Sequence, residues 1–287
     1  MRVHHEIDYD AIAHHVRGRF EQAVVTEEPY PHVQLENVLP EDYYDLLLDA
    51  LPLPQDVGSD NSGALNFAVV EGDSHFARMT PARKELWIEF DRRISQAVIR
   101  LEMARLFSRY LPLKLDMMLD AGWPLRAETA LGPQWRDRLA SDEIYQPEGG
   151  SGGRLLLVTR NFNLAPHVDN ATSVLTYLFY MPRDNALEEL GTKIHIVGNK
   201  RTICQKYQAR KNIDVWLVDP SELIRDGSAF PFRRNSLAAM LCLPTAVHSI
   251  TCQEINYCRY LMQTQIFLRD DLSKILFEGW AAKGVGY

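Results

Sequence analysis

Cysteine is scarce in this chain, four among 287 residues, and Cys204, Cys242, Cys252 and Cys258 form no C-x-x-C pair. The last three lie in apolar, strand-like surroundings where a free thiol behaves as a small hydrophobe, so reduced and mostly buried thiols are expected. Long apolar runs are also missing. No stretch of about 18 uninterrupted apolar residues occurs, and the N-terminus MRVHHEIDYD has no apolar signal core. Neither membrane spanning nor secretion is expected, and the expected location is cytoplasmic. An excess of positive charge is lacking as well: 31 Lys and Arg against 38 Asp and Glu give a formal charge of -7 with no basic run. Extended contact with nucleic-acid phosphates is therefore disfavoured. The glycine-rich segment YQPEGGSGGRL lacks a G-K-[ST] ending, so it reads as a flexible connection or lid and not as a phosphate loop. No G-x-S-x-G elbow is present, and Ser249 leaves its strand on the face opposite His248, which excludes a serine hydrolase.

What is present is enough for a full core. Hydrophobic residues make up 46% of the chain, sufficient for one large domain or two modest ones. The first half reads as mainly helical: YDAIAHHVRGRFEQAV, LPEDYYDLLLDALP and the long TPARKELWIEFDRRISQAVIRLEMARLFSRYL carry apolar residues at helical spacing. Thr80 is placed to cap the last of these, with Pro81 at the first helical position. After residue 153 the character changes. RLLLVTR, SVLTYLFYM, KIHIV, VWLV, SLAAMLCL, AVHSIT and YCRYLMQTQIFL are short apolar segments bounded by turn residues, with no long helical pattern between them. Seven such strands predict an antiparallel sandwich or barrel with helices packed on its outside. A single domain over 1–287 is expected, with 1–153 a helical scaffold, 154–268 the β core and 269–287 a C-terminal extension.

The segment NFNLAPHVDN carries the chemistry. His167 and Asp169 stand two apart at the head of a β-forming stretch, and two is the strand repeat, so both side chains can close on one metal ion. A histidine and a carboxylate so placed are two-thirds of the facial triad of non-haem Fe(II) oxygenases. The third ligand must come from a distant strand. Of nine histidines, His4, His5, His14 and His15 lie in the polar N-terminal part, and His32 and His75 precede the strands; all six read as surface or capping residues. His195 and His248 remain, and alternation alone does not decide whether His195 points into a barrel or to solvent. His248 follows a continuous apolar strand and precedes Arg259 by eleven residues. If residues 253–256 form an even-length turn, Ile250 faces Arg259 and His248 faces Leu261, so all four share one face. Arg259 then lies about 7–8 Å from the metal histidine, the reach of a five-carbon dicarboxylate.

These residues resemble the Fe(II)- and 2-oxoglutarate-dependent oxygenases with a double-stranded β-helix (jelly-roll, cupin-like) core, of the prolyl-hydroxylase-like and phytanoyl-CoA-hydroxylase-like kind. The pattern H-x-D, a distal H, then R or K about ten residues on is met by His167, Asp169, His248 and Arg259. PHVDNATSVLTYLFYMPRDNALEELGTKIHI is similar to the prolyl-hydroxylase-type stretch, FRRNSLAAMLCLPTAVHSI to the segment in which an Asn opens the strand before the distal histidine, and EPYPHVQLENVLPEDYYDLLLDALP to the opening strand and helix of bacterial members. The resemblance covers residues 28–52 and 154–268 and leaves 53–153 unmatched.

The resemblance implies that His167, Asp169 and His248 bind Fe(II), that Arg259 holds the far carboxylate of 2-oxoglutarate, and that Tyr180 assists it, with Tyr177 on the other strand face as competitor. Two departures stand out: the usual Gly-Gly turn is Gly191-Thr192, and the usual R-x-S is Arg259-Tyr260-Leu261, so a helping hydroxyl is absent or supplied elsewhere. Asp169 argues against the halogenating branch, where a small residue replaces the carboxylate. The implied reaction consumes 2-oxoglutarate and O2, releases succinate and CO2 and hydroxylates a C–H bond of a small metabolite or natural-product intermediate. The alternatives are a hydroxylase of peptide or protein side chains and a non-catalytic cupin-like metal-binding protein. Neither nucleic acid nor membrane is an expected partner, and the sequence is silent on oligomeric state.

Overall fold

The computed structural model describes residues 7–52, 64–69, 73–74, 76–139, 145–147, 153–158, 162–210, 215–252 and 259–278. Chain order is α1 (Tyr9–Glu21), β1 (His32–Glu36), α2 (Glu41–Asp49), β2 (Ala64–Ala68), α3 (Pro81–Phe90), a π-helical segment (Asp91–Ile99), α4 (Arg100–Phe107), α5 (Leu111–Asp120), α6 (Ala127–Leu131) and α7 (Trp135–Arg138). There follow β3 (Tyr145–Pro147), β4 (Arg154–Val158), β5 (Phe162–Val168), β6 (Ser173–Tyr180), β7 (Thr192–Val197), α8 (Lys200–Ala209), β8 (Trp216–Leu217), β9 (Leu223–Phe230), β10 (Ser236–Leu241), β11 (His248–Cys252), β12 (Arg259–Leu268) and α9 (Asp270–Leu276).

The strands form two antiparallel sheets, a larger one in the order β1-β10-β6-β12-β4-β2 with β3 beside β12, and a smaller one in the order β8-β5-β11-β7-β9. From β4 to β7, and again from β9 to β12, each connection carries the chain from one sheet to the other. That alternation is a double-stranded β-helix, as expected from the strand pattern and the resemblance. The larger sheet is covered by helices on its outer face. Tyr177 and Phe179, the outward residues of β6, meet Ser95 (3.0 Å between hydroxyls) and the rings of Tyr44 and Phe90 (both 6.0 Å). Among the described residues no helix is long and apolar enough to cross a membrane.

Several local readings hold with differences. α3 starts at Pro81, but Thr80 makes no side-chain capping bond, so the start rests on a proline whose missing N–H would have no helical partner in any case. The helix then runs through the π-helical segment, where buried Asp91 accepts the Gly153 N–H (3.1 Å). The first half also supplies β1, β2 and β3 to the larger sheet. β5 and β9, which are partly polar, are strands that hydrophobic patterning did not mark, and α8 stands where no helix was expected. Its register with the core is clear afterwards: Ile203, Cys204 and Tyr207 are buried on one side of a helix that Asn199 caps by accepting the Thr202 N–H (3.0 Å).

The expected β11–β12 hairpin does not form. Residues 253–256 lie outside the described residues, yet β11 pairs with β5 and β7 while β12 pairs with β3, β4 and β6, in the other sheet. His248 and Arg259 are thus not diagonal cross-strand neighbours. The reason is topological: a strand that crosses between sheets meets partners remote in sequence, and a hairpin argument has no access to them.

Cys204, Cys242 and Cys252 are free and buried, as expected; Cys258, His4, His5, His75 and residues 148–152 of the glycine-rich segment lie outside the described residues. His32 is a correction: it is buried on β1, with its ring 5.5 Å from that of Phe230.

One turn depends on glycine for space. A side chain at Gly191 would overlap the Phe230 carbonyl, so the approach to β7 admits no Cβ.

Candidate metal centre

His167 is the last residue but one of β5 and Asp169 lies just beyond the strand, so the pair sits between the end of β5 and the start of β6. Between the pairs His248↔His167 and Ile250↔Leu164 the register slips, three residue steps on β5 against two on β11. This β-bulge falls at Ala165 and Pro166, where a residue without an N–H costs the ladder nothing, and it re-aims the end of the strand. As a result His167 and His248 lie directly opposite one another, ring centroids 4.2 Å apart.

Each histidine is oriented by its own backbone. Nδ1 of His167 donates to the Ala165 carbonyl (2.9 Å), and Nδ1 of His248 donates to the Ala246 carbonyl (3.1 Å). A carbonyl only accepts, so both rings carry a proton on Nδ1, which leaves Nε2 as the ring nitrogen available to a metal. Asp169 faces them, with Oδ1 3.8 Å from His248 Nε2. The three ligand atoms lie within 4.8 Å of one another and all three side chains are buried. Two imidazole nitrogens and one carboxylate match the donor set of a two-histidine, one-carboxylate facial site for non-haem iron.

The second carboxylate oxygen of Asp169 is tied back. Oδ2 accepts from Thr176 Oγ1 (2.8 Å) and from Cys242 Sγ (3.4 Å), while its backbone carbonyl accepts from the Tyr207 hydroxyl (3.0 Å). Burial alone would raise the Asp169 pKa, but His248, His167 and the Thr176 and Cys242 hydrogen bonds outweigh it and hold the carboxyl below its ordinary value. Burial, with His248 beside it, pushes His167 down to about 4, so it is neutral at physiological pH. The buried ammonium of Lys114, on α5, donates to the Ser173 carbonyl; burial lowers it to about 8, opposed by Cys242 and Asp169.

Arg259 opens β12 on the opposing sheet, fully buried. Its Nε donates to the Leu190 carbonyl (2.7 Å), and its guanidinium carbon lies 5.6 Å from the Tyr180 ring centre and 5.2 Å from that of Phe232. Nη1 and Nη2 are buried and have no hydrogen-bond partner among the described residues. Tyr180, also buried, donates to Thr192 Oγ1 (2.8 Å). Tyr177 faces the helices instead and bonds Ser95, so of the two tyrosines it is Tyr180 that shares a pocket with Arg259. His195 is turned from the barrel interior by strand alternation: its Nε2 is 2.7 Å from the Ser249 hydroxyl on the outer face of the smaller sheet.

All five side chains singled out in the sequence therefore lie inside one barrel, the triad together and Arg259 with Tyr180. Thr176, Cys242, Tyr207, Thr192 and Lys114 were not anticipated. Thr176 alone had a legible signal, a hydroxyl four residues before Tyr180 on the same strand face.

No protein-family profile and no curated protein matches the chain. Solved structures do resemble it in fold. A prolyl hydroxylase from Trichoplax adhaerens, in complex with a hypoxia inducible factor peptide fragment, is 11% identical over 93% of this chain and 96% of its own, with a TM-score of 0.45. A prolyl 4-hydroxylase from Phytophthora capsici is 10% identical over 93% and 68%, with a TM-score of 0.44. The epimerase SnoN, in complex with Fe3+, alpha ketoglutarate and nogalamycin RO, is 14% identical over 90% and 83%, with a TM-score of 0.38. The likeness is to the fold of these oxygenases, and the chemistry of this chain has to be read from its own side chains.

Proposed function

We propose that this protein is an Fe(II)- and 2-oxoglutarate-dependent oxygenase that hydroxylates a C–H bond of a small molecule, with succinate and CO2 as co-products. The observation that carries the reading is Arg259: a fully buried guanidinium with both terminal nitrogens unpartnered among the described residues, in the same barrel as the triad. Such a group is costly unless an anion completes it. Succinyl-type carboxylates suit a guanidinium fork, which can hold both oxygens at once.

In this reading His167, Asp169 and His248 hold Fe(II), and Arg259 holds the far carboxylate of 2-oxoglutarate. The metal, 2-oxoglutarate and O2 supply the oxidising chemistry. The chain supplies position. The two imidazoles, bonded to backbone carbonyls through Nδ1, keep Nε2 for the metal, and Thr176 and Cys242 occupy one oxygen of Asp169, leaving the other to face the histidines. The hydroxyl that the Arg259-Tyr260-Leu261 sequence lacks is supplied by Tyr180 and Thr192, whose mutual hydrogen bond lies beside the guanidinium. The buried rings of Tyr180 and Phe232 beside Arg259 keep water from the carboxylate. Asp169 fills the position that a halogenating enzyme leaves open, which favours oxygen transfer to carbon.

The test is turnover of 2-oxoglutarate. Purified protein with Fe(II), ascorbate and air should release succinate slowly even without the main substrate, and His167→Ala should abolish that release. Absence of Fe(II)-dependent succinate from the intact protein, with or without added cell extract, would leave a metal-binding protein without this catalysis.

A further inference from the structure

Cross-strand rows of the smaller sheet locate the open side of the metal centre. At the level of the two histidines of the triad the inner residues run Ile194 on β7, His248 on β11, His167 on β5 and Leu217 on β8, each directly opposite the next. Residues so paired share one face of the sheet. The first three are at most 6% exposed, whereas Leu217 is 58% exposed. One row along, Thr192 and Ile250 are buried and Leu164 is partly exposed; in the next, Cys252 is buried and Phe162 is partly exposed. The barrel is therefore closed on the β7 side and open along β5 and β8, and its open flank presents Phe162, Leu164 and Leu217.

Leu217 is held where it is. The Val218 N–H donates to the Pro166 carbonyl (2.8 Å), and Trp216 leaves β8 on the other face to stack on Tyr207, ring centroids 5.6 Å apart at 22°. Tyr207 in turn donates to the Asp169 carbonyl (3.0 Å). A single exposed leucine on a protein surface needs no explanation, but this one stands beside a metal ligand and continues an apolar row. Gln263 and Gln265, which also face the interior, lie on β12 in the facing sheet, and the Gln265 amide is taken up by Thr176 Oγ1 (3.3 Å). A hydrocarbon laid on the open flank releases water from it, and each methylene so covered is worth about fourfold in affinity. A charged or polyhydroxylated group there would lose water and find no partner on these three side chains.

We infer that Leu217, Leu164 and Phe162 are the substrate seat of the metal centre, and that the part of the substrate lying against His167 is an uncharged hydrocarbon group, alkyl or aryl. This rests on the oxygenase reading and narrows its substrate class, since the C–H bond that is attacked then belongs to that group.

The test uses the Mn(II)-loaded full chain with 2-oxoglutarate and measures paramagnetic relaxation of probe protons by NMR. Cyclohexanol and myo-inositol share a neutral cyclohexane ring, the first almost all hydrocarbon and the second hydroxylated at every carbon. Cyclohexanol should be relaxed by the bound metal in the wild type, and myo-inositol should not. Leu217→Ser and Leu164→Ser should each weaken cyclohexanol binding about fourfold or more. Ile224→Ser should leave it unchanged, since Ile224 is as exposed (65%) but lies on β9, at the far edge of the same sheet. Equal relaxation of the two probes in the wild type, no relaxation of cyclohexanol although Mn(II) is bound, unchanged binding in both leucine variants, or an equal loss in Ile224→Ser would overturn the inference. Matched circular dichroism and Mn(II) affinity establish that the variants are folded. Failure of Mn(II) to bind in a His167-dependent way would instead bring down the metal-centre reading itself, and this inference with it.

Discussion

Replacing Arg259 by methionine separates a cosubstrate anchor from a structural arginine. In the protein without 2-oxoglutarate the substitution removes the Nε bond to the Leu190 carbonyl (2.7 Å) and the contacts with the Tyr180 and Phe232 rings. Those losses are worth about 1 kcal/mol for the hydrogen bond and about 0.5–2 kcal/mol for the ring contacts. It also removes a buried charge with two unpartnered nitrogens, a burden of about 2–6 kcal/mol at roughly 1–3 per unmade hydrogen bond. The ligand-free variant should therefore be as stable as the wild type or more so in urea unfolding. With cosubstrate the order reverses. A cosubstrate at a hundred times its dissociation constant stabilises the wild type by about 2.7 kcal/mol, and truncating one partner of a buried charge pair costs about 2–5 kcal/mol of binding, so the variant should gain almost nothing. Arg259→Lys keeps the charge but not the fork and should fall between the two. Equal stabilisation of wild type and Arg259→Met by 2-oxoglutarate, or a ligand-free loss above about 3 kcal/mol, would refute the assignment.

Three further outcomes are expected. The buried Lys114 has a pKa of about 8 against an ordinary 10.5, so the unfolded chain binds more protons between those values and metal-free stability should rise with pH across that window. Lys114→Met should remove that contribution and, near pH 7, stabilise the metal-free protein by up to about 3 kcal/mol; a wild-type-like slope in the variant would contradict this. Asn235, at φ 50°, accepts the Leu39 N–H (2.9 Å) and donates to its carbonyl (2.7 Å) and to Glu41 (3.0 Å). Asn235→Ala should cost about 3–5 kcal/mol in denaturant unfolding, with Asn235→Gly recovering only the backbone part. Thr176→Val removes the hydroxyl that holds Asp169 Oδ2, leaving only the weaker Cys242 thiol there, and should weaken Fe(II) binding about 10- to 100-fold in competition with a metal indicator, while Thr176→Ser should stay near wild type.

The sequence carried the chemistry further than the topology. His167 and Asp169 were legible because two residues is a strand repeat and the ligands are local. Arg259 was found for a reason that the structure does not support, since β11 and β12 lie in different sheets and the supposed hairpin face does not exist. It still points inward, because parity within β12 is local even where pairing is not. β5 and β9 escaped notice since their partly exposed, polar residues break the apolar alternation. α8 escaped because a ten-residue helix whose buried face has only Ile203, Cys204 and Tyr207 has little apolar signal. Cys242 was invisible as a partner of Asp169 because it lies just beyond β10, 73 residues further along the chain.

The most direct measurement is an anaerobic titration of the full chain with Fe(II) and 2-oxoglutarate, followed by the weak visible charge-transfer absorption of a 2-oxoacid chelated to Fe(II). The band should appear at one equivalent of metal, saturate with 2-oxoglutarate and vanish in His248→Ala. Its absence from the wild type, or its survival in His248→Ala, would contradict the assignment of this barrel as an Fe(II) and 2-oxoglutarate site.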